Sequence, residues 1–186
     1  HDDDGKKYLM NMRWDHRPEN HPFEGILLQE YSPEEKRLIG EPVNVYRGTE
    51  IGITEGAHIY KKNGYYYMMV AEGGTGYRHG IRLARSRSIF GPYESDPQPL
   101  ITTRNNPEHG IQRTGHGSYI EAANGDCYVA FLCGRPLTEK RRCILGRETA
   151  MAEVVWTDDG WLRLKAGGEV PPMTYEVDLP EVIYPE

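Results

Sequence analysis

Asn63-Gly64-Tyr65-Tyr66-Tyr67-Met68-Met69 is the stretch on which the fold turns. Asn-Gly readily takes the positive φ angles that a two-residue hairpin turn demands, and the aromatic and apolar residues behind it favour a strand. The same arrangement recurs at Asp4-Gly5-Lys6-Lys7-Tyr8-Leu9-Met10 and at Asn124-Gly125-Asp126-Cys127-Tyr128-Val129-Ala130, all three sharing G-x-x-Y followed by an apolar residue. Their glycines lie 59 and 61 residues apart, and a looser copy, Asp159-Gly160-Trp161-Leu162, follows 35 residues on. Each copy predicts a β-hairpin, with turns at Asp4-Gly5, Asn63-Gly64, Asn124-Gly125 and Asp159-Gly160. The second runs from His58 to Lys62 and back along Tyr65 to Ala71; the third uses Ser118 to Ala123 and Cys127 to Leu132. In Tyr65-Tyr66-Tyr67 alternate side chains point to opposite faces, so the run reads as packing.

Between the hairpins, Gly25 to Tyr31, Val43 to Tyr46 and Ile81 to Arg85 are rich in β-formers and bounded by Pro, Gly or Ser, and read as further strands. No segment sustains a long helical period. The chain is therefore expected to be all-β. A hairpin plus extra strands recurring at this spacing suits the four-stranded blades of a β-propeller; a β-sandwich also uses short strands but requires no repeat of this length. About three blades fit into residues 1–165. The Pro-rich end, residues 166–186 with Pro171-Pro172, Pro180 and Pro185, reads as an exit linker.

Composition narrows the class. The 186 residues are 38% hydrophobic, enough for a packed core, and the 21 Gly and 13 Pro are scattered as turn punctuation. A net charge of −6 offers no overall attraction to phosphate backbones or anionic lipid, so neither nucleic acid nor a membrane is an expected partner. No apolar run approaches the roughly 20 residues of a membrane helix, and nothing resembles a signal peptide, which makes a cytoplasmic setting the expectation. Cys127, Cys133 and Cys143 are odd in number, lack C-x-x-C spacing and are expected in the core. His1, in place of an initiating Met, suggests a start inside a longer polypeptide.

The string Ile53-Thr54-Glu55-Gly56-Ala57-His58-Ile59-Tyr60, with Gly64-Tyr65-Tyr66-Tyr67 and Ala71-Glu72-Gly73-Gly74-Thr75, resembles the segment around the general acid of the family 43 β-xylosidases and α-L-arabinofuranosidases. Further similar landmarks keep the family's order: His1 to Tyr8, Asn11 to Arg17, Gly115-His116-Gly117-Ser118, Gly134-Arg135-Pro136 and Leu145 to Ala150. Several separated motifs in one order are far more specific than any single pattern.

The resemblance implies a five-bladed β-propeller, of which this chain holds a C-terminal part, and an inverting exo-glycoside hydrolase. It would release xylose or arabinofuranose from the non-reducing ends of xylo-oligosaccharides or arabinosides. Glu55 matches the general acid, which needs a raised pKa to protonate the departing oxygen while an opposite carboxylate activates water. Its position at a strand start after the turn-prone Gly48 to Gly52 stretch suits an axial mouth. The family's aspartate base and its third, acid-tuning aspartate fall before His1, so the chain is expected to supply the acid but not the base, and to be inactive alone. It would need the missing N-terminal blades or a complementing chain. Asp2, Asp3 and Asp4 have the composition of a turn.

By the same resemblance, Arg147 lies in the substrate pocket, where a guanidinium can hold hydroxyls and carboxylates; without it, Arg147 would as readily pair with Glu148. His116 would face the central channel and contact the pocket or a water-bound calcium. Trp14 would form the pocket wall, its ring packing on a sugar's C–H surface. No cofactor is required, with calcium the one metal the likeness admits. Arg13 replaces an often apolar residue, and Gly56-Ala57 departs from the usual Ala/Gly-Pro after the acid. A non-catalytic carbohydrate-binding propeller is the alternative reading.

Overall fold

The computed structural model describes residues 1–19 and 23–176, and in these the chain folds into strands without a helix. Twelve strands follow one another: β1 (Lys7–Trp14), β2 (Phe23–Ser32), β3 (Arg37–Tyr46), β4 (Glu55–Lys62), β5 (Tyr65–Glu72), β6 (Gly80–Ser86), β7 (Glu94–Ser95), β8 (Ile101–Thr102), β9 (Gln112–Glu121), β10 (Cys127–Gly134), β11 (Glu148–Trp156) and β12 (Leu162–Leu164). They form three antiparallel sheets: β1-β2-β3; β4-β5-β6-β7 with β8 also on β6; and β9-β10-β11-β12. The sheets hold three, five and four strands, not a uniform four, because β7 and β8 are two-residue pieces sharing the outer edge of β6.

The local turn signals act as expected in three of four places. Asn63 and Gly64, at φ 51° and 73°, join β4 to β5 with Lys62 opposite Tyr65. Ala122 N–H donates to the Asp126 carbonyl (2.8 Å) where β9 turns into β10, and Thr157 N–H to the Trp161 carbonyl (2.9 Å) where β11 turns into β12. The first turn corrects the expectation of a hairpin. Asp2 N–H donates to the Lys6 carbonyl (2.9 Å) across Asp4-Gly5, but among the described residues no strand precedes it. The Asp2 carboxylate instead accepts from Lys61 Nζ (2.8 Å) and the Tyr66 hydroxyl (2.7 Å), which hold its pKa at about 2 and bind the first turn to the second sheet.

Packing follows the period of two. On β5 and β6, Tyr67, Met69, Ile81 and Leu83 turn toward Val129, Phe131, Ala152, Val154 and Leu162 of the third sheet. Their neighbours Met68, Val70 and Ala84 turn the other way, onto Ile26, Leu28, Val45 and Tyr46 of the first. The middle sheet is thus buried on both faces, which is why Tyr67 to Ala71 reads as a continuous apolar run without alternation. Cys127 and Cys133 belong to the core; Cys143 does not, being half-exposed in the loop between β10 and β11. Residues 166–176 form no strand, yet the Glu169 carbonyl accepts from Thr102 N–H (2.8 Å) and Pro171 is buried. Residues 177–186, with Pro180 and Pro185, lie outside the described residues.

Candidate active site

Strand direction gathers the candidate residues at one end of the sheets. Glu55 opens β4 opposite Ala71, near the end of β5, and β6 starts beside it with Gly80 opposite Glu72. In the third sheet Gln112 opens β9 opposite Gly134, and Glu148 opens β11 opposite Cys133. β3 ends at Tyr46 and residues 47–54 lead directly to Glu55, so Trp14, which ends β1 opposite Phe23, lies at this end too. The Asp2–Lys61 pair marks the opposite end.

Glu55 is half-buried and sits on a register break between Glu55 and His58. Such a bulge re-aims the side chain that precedes it. Gly56 makes the bulge: its φ is +59°, and a Cβ there would stand 2.8 Å from Cε1 of the His116 ring. His116 itself adopts φ 56°. Gly56, which the pattern's Ala/Gly position admits, is therefore the residue on which the imidazole of His116 rests, beside the candidate acid; the departure from the pattern is Ala57. Ile53, two residues before Glu55, also has a positive φ of 52°, a rare conformation for a β-branched residue and one seen at strained functional sites.

Buried polar groups hold this end together. Thr49 Oγ1 donates to Glu72 (2.7 Å), Gly73 N–H donates to the Gly52 carbonyl (2.8 Å), and the loop carrying Glu55 is thereby fixed to the end of β5. Glu72 is 1% exposed and ion-paired with Arg82 (3.0 Å) and Arg104 (3.3 Å). His79, also 1% exposed, has no hydrogen-bond partner on either ring nitrogen and lies so close to Gly115 that a Cβ there would be 2.1 Å away. Burial pushes its pKa down to about 4, and the charges of Arg147 and His116 add to the effect.

The residue after Glu55 thus meets the ring of His116. Arg147 is exposed and does not pair with Glu148, which is held by Arg135 instead. Trp14 shares the end of the sheets but its ring contacts are local, stacked on His16 just past β1 (5.4 Å) and tilted on Phe23 of β2 (3.9 Å), with 49% of its surface exposed. Glu72 and His79 had no role in the sequence reading. A buried ion pair and a buried imidazole depend on strands far apart in sequence, and the motif that contains Glu72 says nothing of its partners. Calcium prefers six to eight oxygen ligands; among the described residues no three His, Cys, Asp or Glu side chains are grouped to hold a metal directly.

The sequence and the fold of the chain have counterparts among known proteins. Over 181 residues the chain is 50% identical to a xylosidase/arabinosidase 43B of Humicola insolens, covering 97% of this chain and 33% of that protein. It is 42% identical over 200 residues to a β-xylosidase of Bacillus subtilis (strain 168), covering 98% and 37%. The crystal structure of a xylan β-1,4-xylosidase from Bacillus halodurans C-125 superposes with a TM-score of 0.93 at 56% identity, over 100% of this chain and 36% of that one. The chain spans about a third of the length of these relatives. The sequence pattern of the glycosyl hydrolases family 43 matches residues 1–162, and the chain belongs to that family.

Proposed function

We propose that this chain is the part of an inverting exo-glycoside hydrolase that supplies the general acid, acting on the non-reducing ends of xylo-oligosaccharides and releasing xylose, or arabinofuranose from the corresponding arabinosides. Residues 1–165 would be three blades of a five-bladed catalytic propeller, and residues 166–186 its exit linker. The observation that supports this reading is Glu55 on its bulge at the start of β4, with the His116 ring against the next residue. Glu55 protonates the departing oxygen, while Arg147 and His116 hold hydroxyls of the sugar and Trp14 offers an exposed ring for its apolar face. The base that activates water comes from outside the 186 residues.

The test uses the full-length protein that contains this chain. Glu55→Gln should lower kcat by about 10² to 10⁴, most on substrates with poor leaving groups. An unchanged rate on a natural xylobioside would remove Glu55 from the role. Following the first turnovers of a β-xyloside by NMR should show α-xylose; β-xylose as the initial product would refute inversion. A full-length protein that binds xylo-oligosaccharide without turning it over would instead be the carbohydrate-binding propeller.

A further inference from the structure

The loop between β10 and β11 carries Arg135, Lys140, Arg141, Arg142 and Arg147 against a single acid, Glu139, in a chain of net charge −6. Concentrated positive charge at the mouth of an acidic protein selects for a negatively charged ligand. Beside this loop lies a cleft of about 340 Å³ lined by Tyr77, Arg104, Pro107, Gln112 and Arg141. The Tyr77 hydroxyl donates to the main-chain carbonyl of Arg141 (2.5 Å), which ties the loop after β5 to the loop after β10. The guanidinium carbons of Arg113 and Arg141 lie 4.8 and 4.9 Å from the centre of the Tyr77 ring, so the ring holds two cationic forks in place.

The charges around the cleft are not balanced from within. Arg104 shares Glu72 with Arg82, and Glu72 also accepts from Thr49. Arg135 is taken by Glu148. Among the described residues neither Arg113 nor Arg141 forms an ion pair, and Nε of Arg113 is buried without an acceptor. Glu108 and Glu139 line the adjoining hollow beyond Pro107, together with His109. A buried donor without an acceptor is costly, and a guanidinium fork fits a planar carboxylate through two parallel hydrogen bonds. The cleft also adjoins the sugar site: Tyr77 is two residues from His79, and Arg113 two from Gly115, on which the His79 ring rests.

We propose that Tyr77, Arg104, Arg113 and Arg141 form a subsite for a carboxylate carried by the substrate, so that the enzyme accepts xylo-oligosaccharides bearing a uronic acid. This rests on the glycosidase reading of the neighbouring site. The recognised group is a carboxylate, and whether it arrives on an oligosaccharide or as a free acid is separable by experiment.

Full-length protein with Glu55→Gln, to suppress turnover, is titrated calorimetrically with xylotriose, with xylobiose bearing one glucuronic acid branch, and with free glucuronate. The acidic oligosaccharide should bind about tenfold tighter than xylotriose or better at low salt, and the gap should shrink in about 0.3 M salt. Adding Arg141→Asn should bring the two affinities to within about threefold and leave xylotriose binding unchanged. Asn tolerates the φ of 55° at this position, and the tie to Tyr77 uses the main chain, so the loop is kept. Arg113→Asn, at φ 56°, is the parallel variant. Equal affinity for neutral and acidic ligands, or a preference that survives both variants, overturns the subsite. Glucuronate binding as tightly as the acidic oligosaccharide also overturns it, since the cleft would then hold a bare anion. Turnover of nitrophenyl xyloside by the unsubstituted protein with no acidic preference rejects the subsite alone. An acidic preference without any turnover rejects the hydrolase reading and leaves the subsite standing.

Discussion

Position 56 shows how one missing methyl group can govern a site. With φ at +59° and the His116 ring where a Cβ would be, Gly56→Ala meets both a backbone penalty and a clash with an imidazole. The expected loss is about 1 to 3 kcal/mol in urea unfolding, together with a fall in kcat of the full-length protein as His116 is displaced. His79 supplies a second test at the same scale. Its folded pKa, about 4, lies below the ordinary value of 6.5, so on lowering the pH the unfolded chain takes up a proton that the folded chain refuses. The stability it contributes is whole above pH 6.5 and is lost as the pH falls toward 4, with a slope approaching about 1.4 kcal/mol per pH unit. His79→Asn should flatten stability against pH in that window; an unchanged slope would mean that the imidazole is not held neutral.

The elements differ in how far the sequence disclosed them. β4 with β5, and β9 with β10, were legible because an Asn-Gly turn and the flanking alternation are local properties. The turn at Asp4-Gly5 has the same local chemistry, which is why it read as a hairpin: a turn motif says nothing about whether a strand lies on its far side. β7 and β8 escaped notice because two residues carry no period, and they exist only through pairing with β6. Glu55 and His116 were found through short motifs, whereas Glu72, though inside one, showed no role there, its partners Arg82, Arg104 and Thr49 being scattered over three segments. That network clamps the loop 47–54 to β5 and so sets where β4 begins. Glu72→Gln keeps the shape and removes the charge, leaving two arginines without their carboxylate. It should cost about 3 to 5 kcal/mol in equilibrium unfolding. A loss under about 1 kcal/mol, the range of an exposed ion pair, would show that the clamp is not held by charge.

For the molecule as a whole the decisive quantity is the balance of acid and base. Among the described residues Glu55 is the carboxylate at the mouth that the family likeness assigns to chemistry; Glu72 is bound by two arginines, and Asp2 lies at the far end with Lys61 and Tyr66. An inverting reaction needs two carboxyl groups about 6.5 to 9.5 Å apart with a water between them. The outer face of the first sheet also exposes Leu9, Tyr31 and Leu38, apolar side chains suited to packing against another blade. The 186-residue chain by itself is therefore expected to show no appreciable turnover of nitrophenyl xyloside, because loss of general base assistance alone is worth about 10² to 10⁴ in rate. Turnover should appear when the chain is joined to, or mixed with, the remainder of the full-length protein, and Glu55→Gln should then abolish it most completely for poor leaving groups. If the purified chain alone hydrolyses the substrate and Glu55→Gln stops it, a carboxylate within these residues is the base, and the division of labour between this chain and the rest of the propeller is wrong.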